Sequence, residues 1–306
     1  MNTSETTSLD QRASSPAKAM RGLLLGAGHE VGGVSTPEVE RTNTSDVMRS
    51  DAQNAPIVTT VKSRHTRTRP NVRPLTYVLI PGGWHGAWCW RPVANRLRAA
   101  SHRAITLTLP GLGDGDDPSG YKLKDAVAYI VDEVRRRELD NVILVAHSWG
   151  GYPATGAGHL LGDRVTKIIY YNAFVPVRGR SLVDETPPDT RELMLRLIDG
   201  SPFGAIAPSL EYVEQLLMQG VVPELQRLVA DLMTSQPGGY FLGALDIDAA
   251  SLAIPTAYVT SDSDQAMPHT GPEFAARLGV EPIVIPGTHS GMLTHPDEVA
   301  KAILAA

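Results

Sequence analysis

The sequence predicts an α/β domain: a mostly parallel central sheet flanked by helices, with a helical cap inserted after the sixth strand. Three observations carry that expectation. From Leu75 onward, short β-branched runs alternate with helical patterns, the signature of parallel strands joined by helical crossovers. All 17 Phe, Tyr and Trp residues lie from Tyr77 onward, which confines the material for a large core to that part of the chain. Charge divides at the same point, with net +3 over residues 1–76 and net -8 over residues 77–306. The expected organisation is a disordered polar leader over residues 1–72 and one domain over residues 73–306, its cap covering about 176–250.

The leader is Ser/Thr-rich and has no aromatic residue, so it cannot bury enough apolar surface to offset ordering entropy. Its best apolar run, Gly22 to Gly28, is shorter than the core of a secretory signal and follows acidic residues. No stretch approaches the ~20 apolar residues that cross a bilayer. A cytoplasmic protein is the resulting expectation. The one basic run, Lys62 to Arg73, reads as a solvated linker, and an acidic body without a Lys/Arg stripe offers no footprint for nucleic acid. The single cysteine, Cys89, excludes an intramolecular disulfide framework and a Cys-rich metal site. It reads as a small buried hydrophobe.

Along the body, strands are expected at Leu75–Ile80, Ala104–Leu109, Asn141–Ala146, Thr166–Tyr171, Pro255–Thr260 and Glu281–Ile285. Their continuous apolar character suits strands covered on both faces. Helical spacing of Ala126, Val127, Ile130, Val131 and Val134 predicts a helix over Lys122–Leu139, and another closes the chain at Pro296–Ala305. After Tyr171 some 80 residues pass before the next strand. They hold helical patterns at Arg191–Ile198, Leu210–Met218 and Pro223–Met233, with an apolar underside that includes Leu193, Met194, Leu217, Leu228, Leu232 and Met233. That interval is the expected cap.

Chemistry concentrates where the third strand ends. Asn141 to Ala146 is an apolar run that leads directly into His147-Ser148-Trp149-Gly150-Gly151, a strand–turn–helix elbow in which Ala146 and Gly150 are small enough for a sharp turn. Ser148 is thereby presented at the carboxyl end of the sheet, where open α/β folds bind ligands. A serine hydroxyl is a weak nucleophile, so a base and a group that orients the base must lie within hydrogen-bond reach. In the chain order expected of such elbows, acid and then histidine follow the serine. His289, after the last strand in Pro286-Gly-Thr-His, is the base candidate; His295, His269 and His147 compete less well. Asp264 is the acid candidate, with Asp262 the alternative as a turn-capping residue or acid. An oxyanion needs two backbone donors, for which the amides of Trp149 and Gly83 are the candidates. Trp84, His85 and Tyr152 are candidate pocket residues, whereas Trp88 and Trp90 read as helix packing.

These segments, Tyr77–Trp90 (YVLIPGGWHGAWCW), Leu109–Asp114 (LPGLGD), Ala146–Gly151 (AHSWGG), Tyr171–Pro176 (YNAFVP), Asp264–Pro268 (DQAMP) and Gly287–His289 (GTH), together resemble the α/β-hydrolase superfamily. The resemblance is closest to its hydroxynitrile lyase and plant methylesterase-like branch, with bacterial small-ester and carbamate hydrolases. It implies a serine esterase acting on a small-molecule ester, a methyl ester or carbamate among the candidates, with no metal and no cofactor. The departures count too. Cyanohydrin-cleaving relatives resemble one another in carrying a hydroxyl residue at the position of Gly82 and a Lys after the catalytic His, where this chain has Ser290. Many relatives have Asp at Asn172, a second place for the triad acid that an amide cannot fill. A lactone-opening hydrolase, a cofactor-free lyase and a non-catalytic ligand-binding homologue remain as alternatives. Homodimerisation is compatible with the sequence; no nucleic-acid or membrane partner is expected.

Overall fold

Residues 74–306 are described by the computed structural model; the leader expected over residues 1–72 lies outside them. The strands are β1 (Thr76–Ile80), β2 (Arg103–Thr106), β3 (Val142–Ser148), β4 (Val165–Ala173), β5 (Thr256–Ser261) and β6 (Ile283–Ile285). They form one sheet in the order β2-β1-β3-β4-β5-β6, and every pairing is parallel, in register Tyr77↔Ile143 and Tyr170↔Tyr258.

The central strands are buried over most of their length because each face carries its own core. Side chains alternate across a strand. Val78, Ile80, Leu144 and Ala146 therefore enter one cluster with helices α2 (Leu123–Arg136) and α3 (Gly151–Leu161). Tyr77, Leu79, Ile143 and Val145 enter the other, with α1 (Arg91–Ala99) and the C-terminal helix Pro296–Ala305. Trp90 anchors that second face, fully buried, its indole N–H donating to the Ile80 carbonyl at 3.0 Å. Cys89 is buried beside it. Strand β6 is shorter than expected and lies at the sheet edge, which leaves Val284 59% exposed. Among the described residues no helix is long and apolar enough to cross a membrane.

The cap leaves the sheet after its fourth strand, not a sixth, because only four strands precede it among the described residues. It contains helices Pro188–Gly200 and Pro223–Leu232, each opened by a proline in its first turn, and a two-residue ladder of Ala205–Ile206 against Gln236–Pro237. The helix expected at Leu210–Met218 is one α-turn, Leu210–Tyr212, continued by a π-turn, Val213–Leu217. The cap core of Val213, Leu217, Met218, Val229 and Met233 packs on Trp84, Trp88 and Leu293. Leu228 and Leu232 do not join it and are 53% and 45% exposed. They stand four residues apart on one stripe of their helix, and Gln226 and Val229 take the inner stripe. Glu185, fully buried, ties the cap to the sheet side: Arg277 lies 2.8 Å, Arg180 3.2 Å and His269 3.4 Å from its carboxylate.

Candidate active site

Strand β3 turns into α3 at Ser148, whose φ of 54° lies in the left-handed region that costs a non-glycine residue about 1–2 kcal/mol. The turn is closed by backbone on every side. A Cβ at Gly150 would stand 2.6 Å from the Pro81 carbonyl oxygen, and one at Gly151 only 1.9 Å from that of Phe174. The sequence needs small residues here because two chain segments pass within contact of the turn.

His289 and Asp264 meet above the carboxyl ends of the strands, Nδ1 to Oδ2 at 2.9 Å, both side chains almost wholly buried. A carboxylate only accepts, so Nδ1 carries a proton, and in the neutral ring the lone pair is on Nε2. The other Asp264 oxygen accepts the Ala266 N–H at 2.9 Å. Asp262 is exposed instead and caps the turn, its Oδ1 accepting from Ser263 Oγ and from the Gly287 N–H. The other histidines are engaged elsewhere, His295 with Thr294 at the start of the last helix and His269 with Glu185. No hydrogen bond joins Ser148 to His289; such contacts commonly tighten only when substrate is bound.

His147 adjoins His289, with ring centroids 4.6 Å apart, and its Nε2–H donates to the His289 carbonyl at 3.1 Å. Burial, then the nearby imidazoles of His289 and His85, holds His147 well below the usual histidine range. Burial also pushes His85 down to about 4, opposed by its bond to the Gly83 carbonyl. Both stay neutral at neutral pH, and among these three rings only His289 has a carboxylate partner.

Asn172 is a positioning residue that the sequence did not reveal as one. It is wholly buried with φ 42°, its Oδ1 accepts the Ser261 N–H at 2.7 Å, and its Nδ2 donates to the His289 carbonyl at 3.1 Å and to Ser261 Oγ at 3.0 Å. The amide holds the His289 loop to β5. A carboxylate there would face two carbonyl oxygens, those of Thr288 and His289. Asn172→Asp is therefore expected to lower stability by about 1–3 kcal/mol at pH 7, and to recover in part relative to the wild type on acidification; a deficit against the wild type that is the same at pH 7 and pH 5 in urea titration would contradict this.

The N–H groups of Gly83, in the loop after β1, and of Trp149, just after β3, have no protein acceptor among the described residues. A cavity of about 50 Å³ beside Ser148 is lined by Gly83, Trp84, Trp149, Phe174, Met194, Tyr212 and Phe241, among others. It adjoins a cap chamber of about 420 Å³ that shares Trp84, Met194 and Tyr212 with it. Trp84 lines both cavities. His85 and Tyr152 line neither. His85 is 2% exposed, bonded to Gly83 and stacked on Trp88. Tyr152 is buried beneath Phe174 on the first turn of α3, pointing into the sheet core.

Residues 77–302 match the model of the Alpha/beta hydrolase family. The chain is similar to the carbendazim hydrolyzing esterase of a Nocardioides species, 29% identical over 75% of this chain and 98% of that one. It is similar also to Methylesterase 18 of Arabidopsis thaliana, 27% identical over 75% and 96% of the two chains. Among solved structures, an extracellular alpha/beta-hydrolase from a Paenibacillus species superposes with a TM-score of 0.71 at 25% identity, covering 76% of this chain and 99% of that one. With its all-parallel sheet, its serine elbow and a family match over nearly all of the described residues, this chain belongs to the alpha/beta hydrolase family, as an esterase-type member.

Proposed function

We propose that the protein hydrolyses a small-molecule carboxylic ester, a methyl ester or carbamate being the favoured form, through an acyl-enzyme on Ser148, His289 and Asp264. The observation that carries this reading is the 2.9 Å Asp264–His289 pair together with a serine elbow, because a carboxylate on Nδ1 directs the lone pair of the neutral imidazole to Nε2, the nitrogen that would act as base. In the first step Ser148 Oγ attacks the carbonyl carbon as its proton passes to Nε2. The oxyanion is received by the N–H groups of Gly83 and Trp149. The intermediate collapses, and the leaving alcohol takes the proton from His289. Water, deprotonated by the same nitrogen, then releases the acid.

The size of the cavity at Ser148, about 50 Å³, favours a substrate with one methyl-sized end, the bulkier part extending past Trp84 and Tyr212 into the chamber of about 420 Å³. Relatives named for carbendazim and methyl ester hydrolysis agree with that shape. Cyanohydrin cleavage fits poorly. A side chain at Gly82 would put its Cβ 2.6 Å from the Ser148 Cβ, and Ser290, wholly buried, brings no ammonium to the site.

A fluorophosphonate is expected to label the protein once, at Ser148, with peptide mass mapping to read the site. Methyl and aryl esters, carbamates and lactones should be screened beside it with product analysis. Absence of labelling together with absence of turnover across the panel would sink the reading in favour of a ligand-binding protein. Aldehyde or ketone plus cyanide from a cyanohydrin would point to a lyase, and selective ring opening to a lactonase.

A further inference from the structure

The peptide that joins Gly83 to Trp84 is gripped on both edges by buried side chains. Its carbonyl accepts from His85 Nδ1–H at 2.6 Å, and its N–H donates to Gln236 Oε1 at 2.8 Å. These two side chains come from different parts of the fold. His85 belongs to the loop after β1, and Gln236 to the cap ladder, where it pairs with Ile206. The ladder segment takes hold of Trp84 twice more: the indole N–H donates to the Ile206 carbonyl at 2.9 Å, and the Trp84 carbonyl accepts the Thr234 N–H at 3.1 Å.

Packing alone does not account for this arrangement. His85 is 2% exposed and Gln236 wholly buried, yet Nε2 of each is left without a partner. An apolar pair of similar shape would avoid both unsatisfied groups. The two residues instead hold Trp84 at φ 62°, a conformation a bulky side chain rarely adopts. The Gly83 N–H belongs to the preceding peptide, joined to that plane through the φ and ψ of Gly83, so holding the plane fixes one end of the residue and narrows the directions its N–H can take; it is a group with no protein acceptor on a residue lining the Ser148 cavity.

We infer that His85 and Gln236 are positioning residues that lock the Gly83–Trp84 peptide and so aim the Gly83 N–H at the oxyanion, which makes the cap ladder part of the oxyanion hole. The inference rests on Ser148 acting as nucleophile. Because burial keeps His85 neutral, its Nδ1–H remains a donor in a single tautomer throughout the neutral range.

The test compares the wild type with His85→Phe, which keeps the ring and loses the donor, and Gln236→Met, which keeps the length and loses the acceptor. His85→Asn and Gln236→Glu, which restore a donor and an acceptor respectively, serve as the conservative pair. The substrate is p-nitrophenyl acetate, and a trifluoromethyl ketone, which adds to a serine as a tetrahedral oxyanion, is the inhibitor. A misaimed donor should cut kcat by about 10- to 100-fold with KM within about threefold. Affinity for the ketone should fall in step with kcat/KM, the pH profile of kcat/KM should be unmoved, and the conservative variants should recover most of the loss. Wild-type-like kcat in both His85→Phe and Gln236→Met, or a loss of kcat with ketone affinity intact, overturns the inference. If one of those two variants does not fold, the other decides by the same criterion, and if neither folds, His85→Leu and Gln236→Leu, which also lose the donor and the acceptor, take their place. A wild type that neither turns over the ester nor takes the ketone overturns the serine mechanism itself, a distinguishable failure.

Discussion

Ser148→Ala is expected to lower kcat/KM for a small aryl ester by on the order of 10⁶, because the substitution removes the only atom that forms the covalent bond. The change should leave the fold alone. Alanine keeps the Cβ against which Gly82 packs, and at φ 54° it is no more strained than serine. His289→Ala should lose nearly as much. Asp264→Asn, which keeps the shape but lets the imidazole take the wrong tautomer, should lose about 10⁴. The losses should not add, since the three residues act as one unit. Asp262→Asn supplies the contrast, because its carboxylate caps an exposed turn and does not touch His289; it should stay within a few-fold of wild type. Steady-state kinetics on purified, folded variants decides. Retention by Ser148→Ala of more than a tenth of wild-type activity would remove the serine mechanism, and equal losses in Asp262→Asn and Asp264→Asn would reopen the choice of acid.

Stability should fall as pH drops from about 6.5 toward 4. His85 is held down to about 4 in the folded chain, chiefly by burial, while an unfolded histidine titrates near 6.5. In that window the unfolded state binds a proton that the native state refuses, so protonation favours unfolding, and stability rises with pH. The difference of about 2.5 pH units corresponds to roughly 3 kcal/mol lost by pH 4 from His85 alone. His147 is shifted in the same direction and adds to the loss. Carboxylates held low, such as Asp184 beside Ser181 and Glu273 beside Thr270, lose their contribution only when they are protonated at still lower pH. The region between pH 6.5 and 5 therefore belongs to the histidines. Urea midpoints at pH 7, 6 and 5 should decline steadily, and His85→Phe should flatten the decline; a wild-type midpoint that is constant across that range would refute the assignment.

Much of the site could be read locally. The elbow is legible because an apolar strand, a serine and flanking small residues are adjacent in the chain, and sharp turns select their residues by sterics within a few positions. His289 follows for a related reason, as it stands in the loop after the last strand, at the end of the sheet where Ser148 is presented. Asp264 and Asp262 could not be separated that way, since both occupy the same turn. Which carboxylate faces the imidazole depends on how that turn docks against a loop 25 residues further on. The cap was harder still. Leu228 and Leu232 fit a helical stripe, but periodicity says only that a helix has two faces, not which of them is covered.

By itself, then, the sequence determined the strands and the elbow, because each follows from interactions among near neighbours or from the burial that β-branched runs demand. The tertiary structure alone decided that His85 turns away from the pocket to hold Gly83, that Asn172 fastens the His289 loop, and that Gln236 reaches Trp84 across 152 residues. Those bonds join segments whose meeting is set by packing of the whole core. A buried polar side chain finds its partner only after the apolar surfaces around both have closed, and no local pattern records which partner that will be.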